Sequence, residues 1–186
     1  MRRHPTRLAG LVLLSPDVHG DERGFFVETW RADRWPEAGA DAQFVQDNQS
    51  RSRRGTVRGM HFQSQPGQAK LLRVARGAVF DVVVDVRSGS PTFGEWEGFE
   101  LDDRGARQLF VPVGFAHGFQ VTSDVADVAY RVSSYYEPAT ESGFAVDDPD
   151  VAIRWPLPRS DWIMSERDAA APSLAAVAAE IPFSWR

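Results

Sequence analysis

From Leu11 to about Trp155 the chain alternates between short apolar-rich runs and clusters of Gly, Pro and Asp, a pattern expected of a β-sandwich or barrel. Residues 24–30, 44–48, 56–63, 70–75 and 78–86 read as strands, and further strands are predicted at 95–101, 108–111, 118–121 and 125–132. In 78–86, Phe80, Val82, Val84 and Val86 share one face while Asp81 and Asp85 lie on the other, because side chains alternate along a strand. Helical signals are confined to a short connector at 31–38 and an alanine-rich tail over 165–180 that reads as helical in part. Without β–α alternation there is no basis for a parallel sheet. About ten short strands in so compact a chain favour mainly antiparallel sheets packed as a jelly roll. An immunoglobulin-like sandwich is disfavoured because its Cys…Trp…Cys landmark is absent. No internal repeat, low-complexity block or linker interrupts residues 1–186, which read as a single domain with a short basic N-terminal segment.

The same alternation places polar residues where apolar ones are expected. His61 shares a face with Val57 and Gly59, with Arg58 and Met60 on the other; Lys70 lines up with Leu72 and Val74. Tyr130 lines up with Val128 and Val132, and His117 with Phe115 and Phe119. A single inward histidine is more often a satisfied structural residue than a catalytic one, and an inward lysine at a strand end can reach solvent along its stem. Four such residues converging inside a barrel instead point to a ligand pocket and proton-transfer chemistry.

Composition narrows the classes. Hydrophobic residues are 42% and charged residues 25% of the 186-residue chain, ordinary for a globular protein. A net charge of −5 argues against a nonspecific nucleic-acid binder, which needs a basic face, but leaves room for an anionic ligand held by arginines. No apolar run is long enough to span a bilayer, and residues 1–14 lack the apolar stretch and cleavage site of a signal peptide. With no cysteine there is no thiolate chemistry, and the cytoplasm is the default compartment. The four histidines, His4, His19, His61 and His117, contain no closely spaced pair, so a zinc or nonheme iron centre is not expected.

Several motifs occur in a recognisable order: Asp21-Glu22-Arg23-Gly24-Phe25-Phe26, Phe44-Val45-Gln46-Asp47-Asn48, Arg58-Gly59-Met60-His61-Phe62-Gln63 and Gly67-Gln68-Ala69-Lys70. They continue with Gly89-Ser90-Pro91-Thr92-Phe93-Gly94, Gly114-Phe115-Ala116-His117-Gly118-Phe119, Tyr130, Tyr135-Tyr136 and Ser165-Glu166-Arg167-Asp168-Ala169-Ala170-Ala171-Pro172. Over residues 11–173 the chain thereby resembles the dTDP-4-dehydrorhamnose 3,5-epimerases of nucleotide-sugar pathways. The resemblance implies a cupin-like jelly-roll β-barrel with short peripheral helices, acting without cofactor or metal. It implies that His61 is the general base, Asp168 its partner, Tyr130 the proton donor, and Lys70 the neighbour of the substrate's 4-keto oxygen. Arg23, Phe25, Glu28, Gln46, Asp47, Asn48, Arg58, His117, Glu141 and Arg167 match nucleotide-sugar contacts, and Tyr136 an aromatic that stacks on thymine. It further implies a homodimer in which an N-terminal strand, for which residues 24–30 are the candidate, pairs with the partner's sheet.

These residue types suit the chemistry. Epimerising a carbon beside a ketone removes a weakly acidic C–H proton and returns one to the opposite face. A base with an ordinary pKa near ~6.5 serves the first half, and an adjacent carboxylate fixes its tautomer. A lysine stabilises the enolate, and a phenol on the far wall delivers the second proton. Gln49 and Arg131 stand where relatives more often have histidine and lysine, which leaves open whether C3, C5 or both are inverted. Rival readings are a 3,4-ketoisomerase, a noncatalytic nucleotide-sugar-binding jelly roll and a metal-dependent cupin.

Overall fold

The computed structural model describes residues 1–185. Its strands are β1 (Arg2–His4), β2 (Val12–Ser15), β3 (Val18–Asp21), β4 (Gly24–Val27), β5 (Gln46–Arg53), β6 (Val57–Gln63) and β7 (Lys70–Arg76). They continue with β8 (Ala78–Asp85), β9 (Trp96–Asp102), β10 (Gln108–Val111), β11 (Phe115–Val121), β12 (Val125–Val132) and β13 (Glu141–Gly143). A six-stranded sheet in the order β1-β2-β10-β7-β12-β5 faces a five-stranded sheet in the order β13-β6-β11-β8-β9, and β3–β4 forms a separate hairpin. Neighbouring strands pair antiparallel throughout. This is the mainly antiparallel, cupin-like jelly roll expected from the sequence.

Each sheet is covered on its inner face and over part of its outer face. Between the sheets, Leu13, Leu72, Val74, Leu109 and Val128 meet Val79, Val83, Phe99, Phe115, Phe119 and Val121 in one buried cluster. Outside the five-stranded sheet, Val57, Met60, Phe62, Val82 and Val84 pack under Leu174, Val177 and Ile181 of the C-terminal tail. Outside the six-stranded sheet, Val12, Leu14, Leu71 and Phe110 pack under Trp35 and Ala40. Strand β8 therefore has no solvent face, and Asp81 and Asp85 are both fully buried. Asp85 is satisfied locally: it accepts hydrogen bonds from Arg87, Ser90 and Thr92. The 89–94 motif is thus a turn organised around a buried carboxylate.

Two sequence expectations are corrected. Simple alternation along 56–63 separates His61 from Arg58, yet both line the interior. His117 lies opposite His61 and Phe119 opposite Arg58, so three residues of β6 span two of β11. That β-bulge shifts side-chain parity by one and sends Val57 and Met60 together to the outer cluster. The bulge needs glycines where the strands approach. Gly59 has φ +140°, and a Cβ there would sit 2.7 Å from Gly118 Cα. The connector at 31–38 is a run of turns rather than a helix: Trp35 N–H and Ala38 N–H bond back to Arg31 and Arg34, but Pro36 has no N–H to continue the ladder. The alanine-rich tail is helical in part, with the single-turn helices α1 (Glu166–Ala169) and α2 (Leu174–Val177) and a 3₁₀ turn, and with Pro172 between the first two. No helix among the described residues is long and apolar enough to cross a membrane.

Candidate active site

The buried cluster fills only part of the space between the sheets. The rest is a cavity of about 430 Å³ lined by residues that include Gln46, Asn48, Arg58, His61, Lys70, His117, Tyr130, Tyr136, Glu141, Arg167 and Asp168, a size typical of small-molecule sites. A second cavity, of about 310 Å³, lies on the other face of the six-stranded sheet beside Asp47, Arg73 and Arg131. Tyr130 reaches into the first from the inner face of β12, where it packs against the buried cluster, so the chemistry belongs to the inner cavity.

His61 stands on β6, and its Nε2 lies 2.8 Å from Asp168 Oδ1. Because the carboxylate only accepts, the neutral ring carries its proton on Nε2 and leaves the Nδ1 lone pair free. Helix α1 fixes the carboxylate. Ser165 caps it by accepting from Asp168 N–H at 3.0 Å, which leaves the buried Asp168 side chain free to meet β6. Burial pushes the Asp168 carboxyl up, but its bonds to His61 and the Gly59 backbone, together with the His61 charge, outweigh burial and hold it low.

A second histidine–carboxylate pair lies beside the first. His117 on β11 is directly opposite His61, and its Nε2 is 2.8 Å from Asp81 Oδ2 on β8. Burial raises the Asp81 pKa, opposed by His117 and Lys70. Asp81 is the main polar residue that sequence alternation did not assign to the site. Its signal was an aspartate within an otherwise apolar strand that turns out to be covered on both faces.

The opposite sheet supplies the other wall. Tyr130 is opposite Leu72, and Lys70 opposite Val132, so the two polar side chains are diagonal neighbours on the inner face. Lys70 reaches the cavity surface, but desolvation lowers its pKa to about 8, against the pull of Glu141 and Asp81. Desolvation raises the Tyr130 phenol, partly opposed by Arg58. At the mouth, Tyr136 Oη donates to Glu141 at 2.9 Å, and Arg167 pairs with the same carboxylate. Gln46 Nε2 donates to Asn48 Oδ1 at 2.8 Å, its Oε1 accepts from Tyr136 N–H at 3.0 Å, and Arg58 donates to Ser52.

Four sequence candidates lie outside this cavity. Arg23 is on the β3–β4 turn, paired with Asp21, with 86% of its side chain exposed. Phe25 on β4 is 67% exposed. Glu28 pairs with Arg34 and Arg31, and Asp47 with Arg131. The structure thus gathers His61, Asp168, Tyr130 and Lys70 with seven of the expected binding residues, and leaves those four on the surface of the same chain. Among the described residues, no group of three or more His, Asp or Glu side chains is arranged to hold a metal ion.

Comparison with known proteins places this geometry in a family. The profile of dTDP-4-dehydrorhamnose 3,5-epimerase matches residues 5–176. The enzyme of that name from Methanothermobacter thermautotrophicus is 48% identical over 164 residues, covering 88% of this chain and 89% of that one. A dTDP-4-dehydrorhamnose 3-epimerase from Streptomyces niveus is 45% identical over 177 residues, covering 94% and 84%. In three dimensions, the dTDP-6-deoxy-D-glucose-3,5-epimerase of Legionella pneumophila, solved with dTDP-4-keto-L-rhamnose, superposes with a TM-score of 0.95 at 46% identity, covering 100% of this chain and 98% of that one. In sequence and in fold alike, the chain belongs to the dTDP-4-dehydrorhamnose 3,5-epimerase family of isomerases.

Proposed function

We propose that the protein converts dTDP-4-dehydro-6-deoxy-D-glucose to dTDP-4-dehydro-L-rhamnose by inverting C3 and C5. The observation that carries the reading is the division of labour between the sheets: the His61–Asp168 pair stands on one wall, Tyr130 and Lys70 on the other. His61 takes a proton from the carbon next to the ketone, with Asp168 stabilising the imidazolium. Charge moves to the ketone oxygen, where Lys70 balances it in a desolvated setting that strengthens the interaction. Tyr130 returns a proton from the far face, and the centre is inverted. Each step uses side chains of the cavity. Incubation with the 4-keto sugar in deuterated water is expected to place deuterium at C3 and C5 and yield the L-configured product by NMR. Deuterium at one carbon alone would establish single-site epimerisation, and none at all would overturn the assignment. The single-site reading has a specific support, since the 45% identity to a 3-epimerase is close to the 48% identity to a 3,5-epimerase. A nucleotide sugar is a cytoplasmic intermediate, and the cytoplasm is the proposed location.

The nucleotide end of the substrate explains the residues left outside. Arg58 and Arg167 suit the pyrophosphate, and Tyr136, 48% exposed at the mouth, suits the thymine ring. Arg23, Phe25 and Glu28 belong to this reading through a second copy. The β3–β4 hairpin projects Phe25 and Phe26 at 67% and 71% exposure, and β5 is an unpaired sheet edge open to strand addition. In the resulting homodimer each arm completes the other subunit's cavity. Two impaired variants test this, assayed at substrate well below KM. Arg23→Ala raises KM about tenfold or more, and His61→Asn removes the base. Unfolded and refolded together, they are expected to regain activity, because a mixed dimer holds one cavity with an intact base and an intact arm. Failure to regain activity would show that each arm serves its own chain.

A further inference from the structure

The described residues leave two buried side-chain polar atoms without a hydrogen-bond partner, Ser50 Oγ and Gln120 Nε2. Gln120 lies away from the cavity, and its other amide atom accepts from Leu157 N–H. Ser50 lines the catalytic cavity itself. Buried hydroxyls are satisfied in the great majority of cases, and leaving one without a partner costs free energy. A hydroxyl that faces a site without a partner on its own chain is available to a ligand bound there.

The strand register says which part of the ligand that is. Along β5, Asn48 faces Tyr130 and Ser50 faces Val128, so Ser50 is one inward step along the strand from the proton donor's partner. The next inward residue, Ser52, accepts from Arg58 Nε at 3.2 Å. Ser50 therefore stands between the row that performs proton transfer and the arginine suited to phosphate. We propose that the Ser50 hydroxyl is a substrate-positioning group that hydrogen-bonds an oxygen at the anomeric end of the sugar, either the hydroxyl on C2 or a phosphoryl oxygen on C1. This rests on the epimerase reading and adds to it a contact that sets the position of the ring along β5. With C1 anchored against β5, the carbons flanking the ketone are held between His61 and Tyr130, and misplacement by even an ångström is costly for such chemistry.

The test is Ser50→Ala, which keeps the volume and removes the oxygen. Calorimetric titration with dTDP and with dTDP-glucose reads binding independently of turnover. Affinity for dTDP-glucose is expected to fall about tenfold, with Tm unchanged or raised because the free enzyme loses an unpaired buried group. A loss shared by dTDP assigns the contact to the phosphoryl oxygen, whereas a loss confined to dTDP-glucose assigns it to the sugar hydroxyl. Unchanged affinity for both, or a lowered Tm with binding intact, would overturn the proposal. If wild-type protein binds dTDP-glucose yet leaves the 4-keto sugar unconverted, the epimerase reading fails separately from the Ser50 contact.

Discussion

Replacing His61 with asparagine is expected to lower kcat/KM by about 10²- to 10⁴-fold, the range spanned by positioned general bases, and to abolish exchange of the substrate's α-protons with deuterated water. Asparagine is chosen because its amide can still donate to Asp168, a buried carboxylate that would otherwise lose its side-chain partner on β6, at a cost to folding. The fold should survive, and the loss should fall on chemistry rather than on binding of dTDP. Tyr130→Phe provides the contrast. With the base intact, proton abstraction and return to the same face continue, so exchange persists while inversion slows. Exchange that proceeds undiminished in His61→Asn would remove His61 from the role of base, and His117, its cross-strand neighbour with its own buried carboxylate, would be the next candidate.

Much of this was legible before any coordinates. Alternation alone puts Lys70, His117 and Tyr130 on inward faces, and their neighbours Leu72, Phe115, Phe119 and Val128 are in the inner cluster. It fails at β6 for a local reason. A bulge is one residue of slippage, and nothing in a pattern of period two marks where slippage occurs, so Arg58 and His61 fall on opposite faces by count and on the same side in space. It also fails to define Asp81. An aspartate opposite a valine face reads as a solvated residue unless a second layer covers it, and that layer comes from elements distant in sequence. Asp168 is the hardest case: 107 residues separate it from His61, so only the motif resemblance associates the two. The positions of Arg23, Phe25 and Glu28 belong to a third level, since a chain considered alone leaves them on its surface. On the proposed reading, their place in the site depends on a second copy.

Lys70 gives the other large effect, and it couples activity to stability in opposite directions. Lys70→Met keeps the length of the side chain and removes the charge that balances the enolate, so kcat should fall by about 10²- to 10³-fold, as for the loss of one preorganised oxyanion donor. In the wild-type protein the same charge is present only below its pKa of about 8, so kcat/KM should decline above that pH. The Tyr130 phenol is shifted upward from its ordinary value of ~10, so its ionisation cannot produce a limb so low. The decline should vanish from the residual activity of Lys70→Met. Stability follows the reverse sign. A lysine that titrates near ~10.4 unfolded and about 8 folded binds more protons in the unfolded state between those values, so its contribution to stability rises with pH across that window. Below pH 8 the folded protein carries a desolvated ammonium, and Lys70→Met should melt at a higher temperature than wild type. From pH 8 to 10 the gap in Tm should narrow as the wild-type lysine discharges. Activity that falls while this gap closes assigns the alkaline loss to Lys70 rather than to unfolding; an alkaline limb that persists in Lys70→Met would mean that another group carries the charge on which the enolate depends.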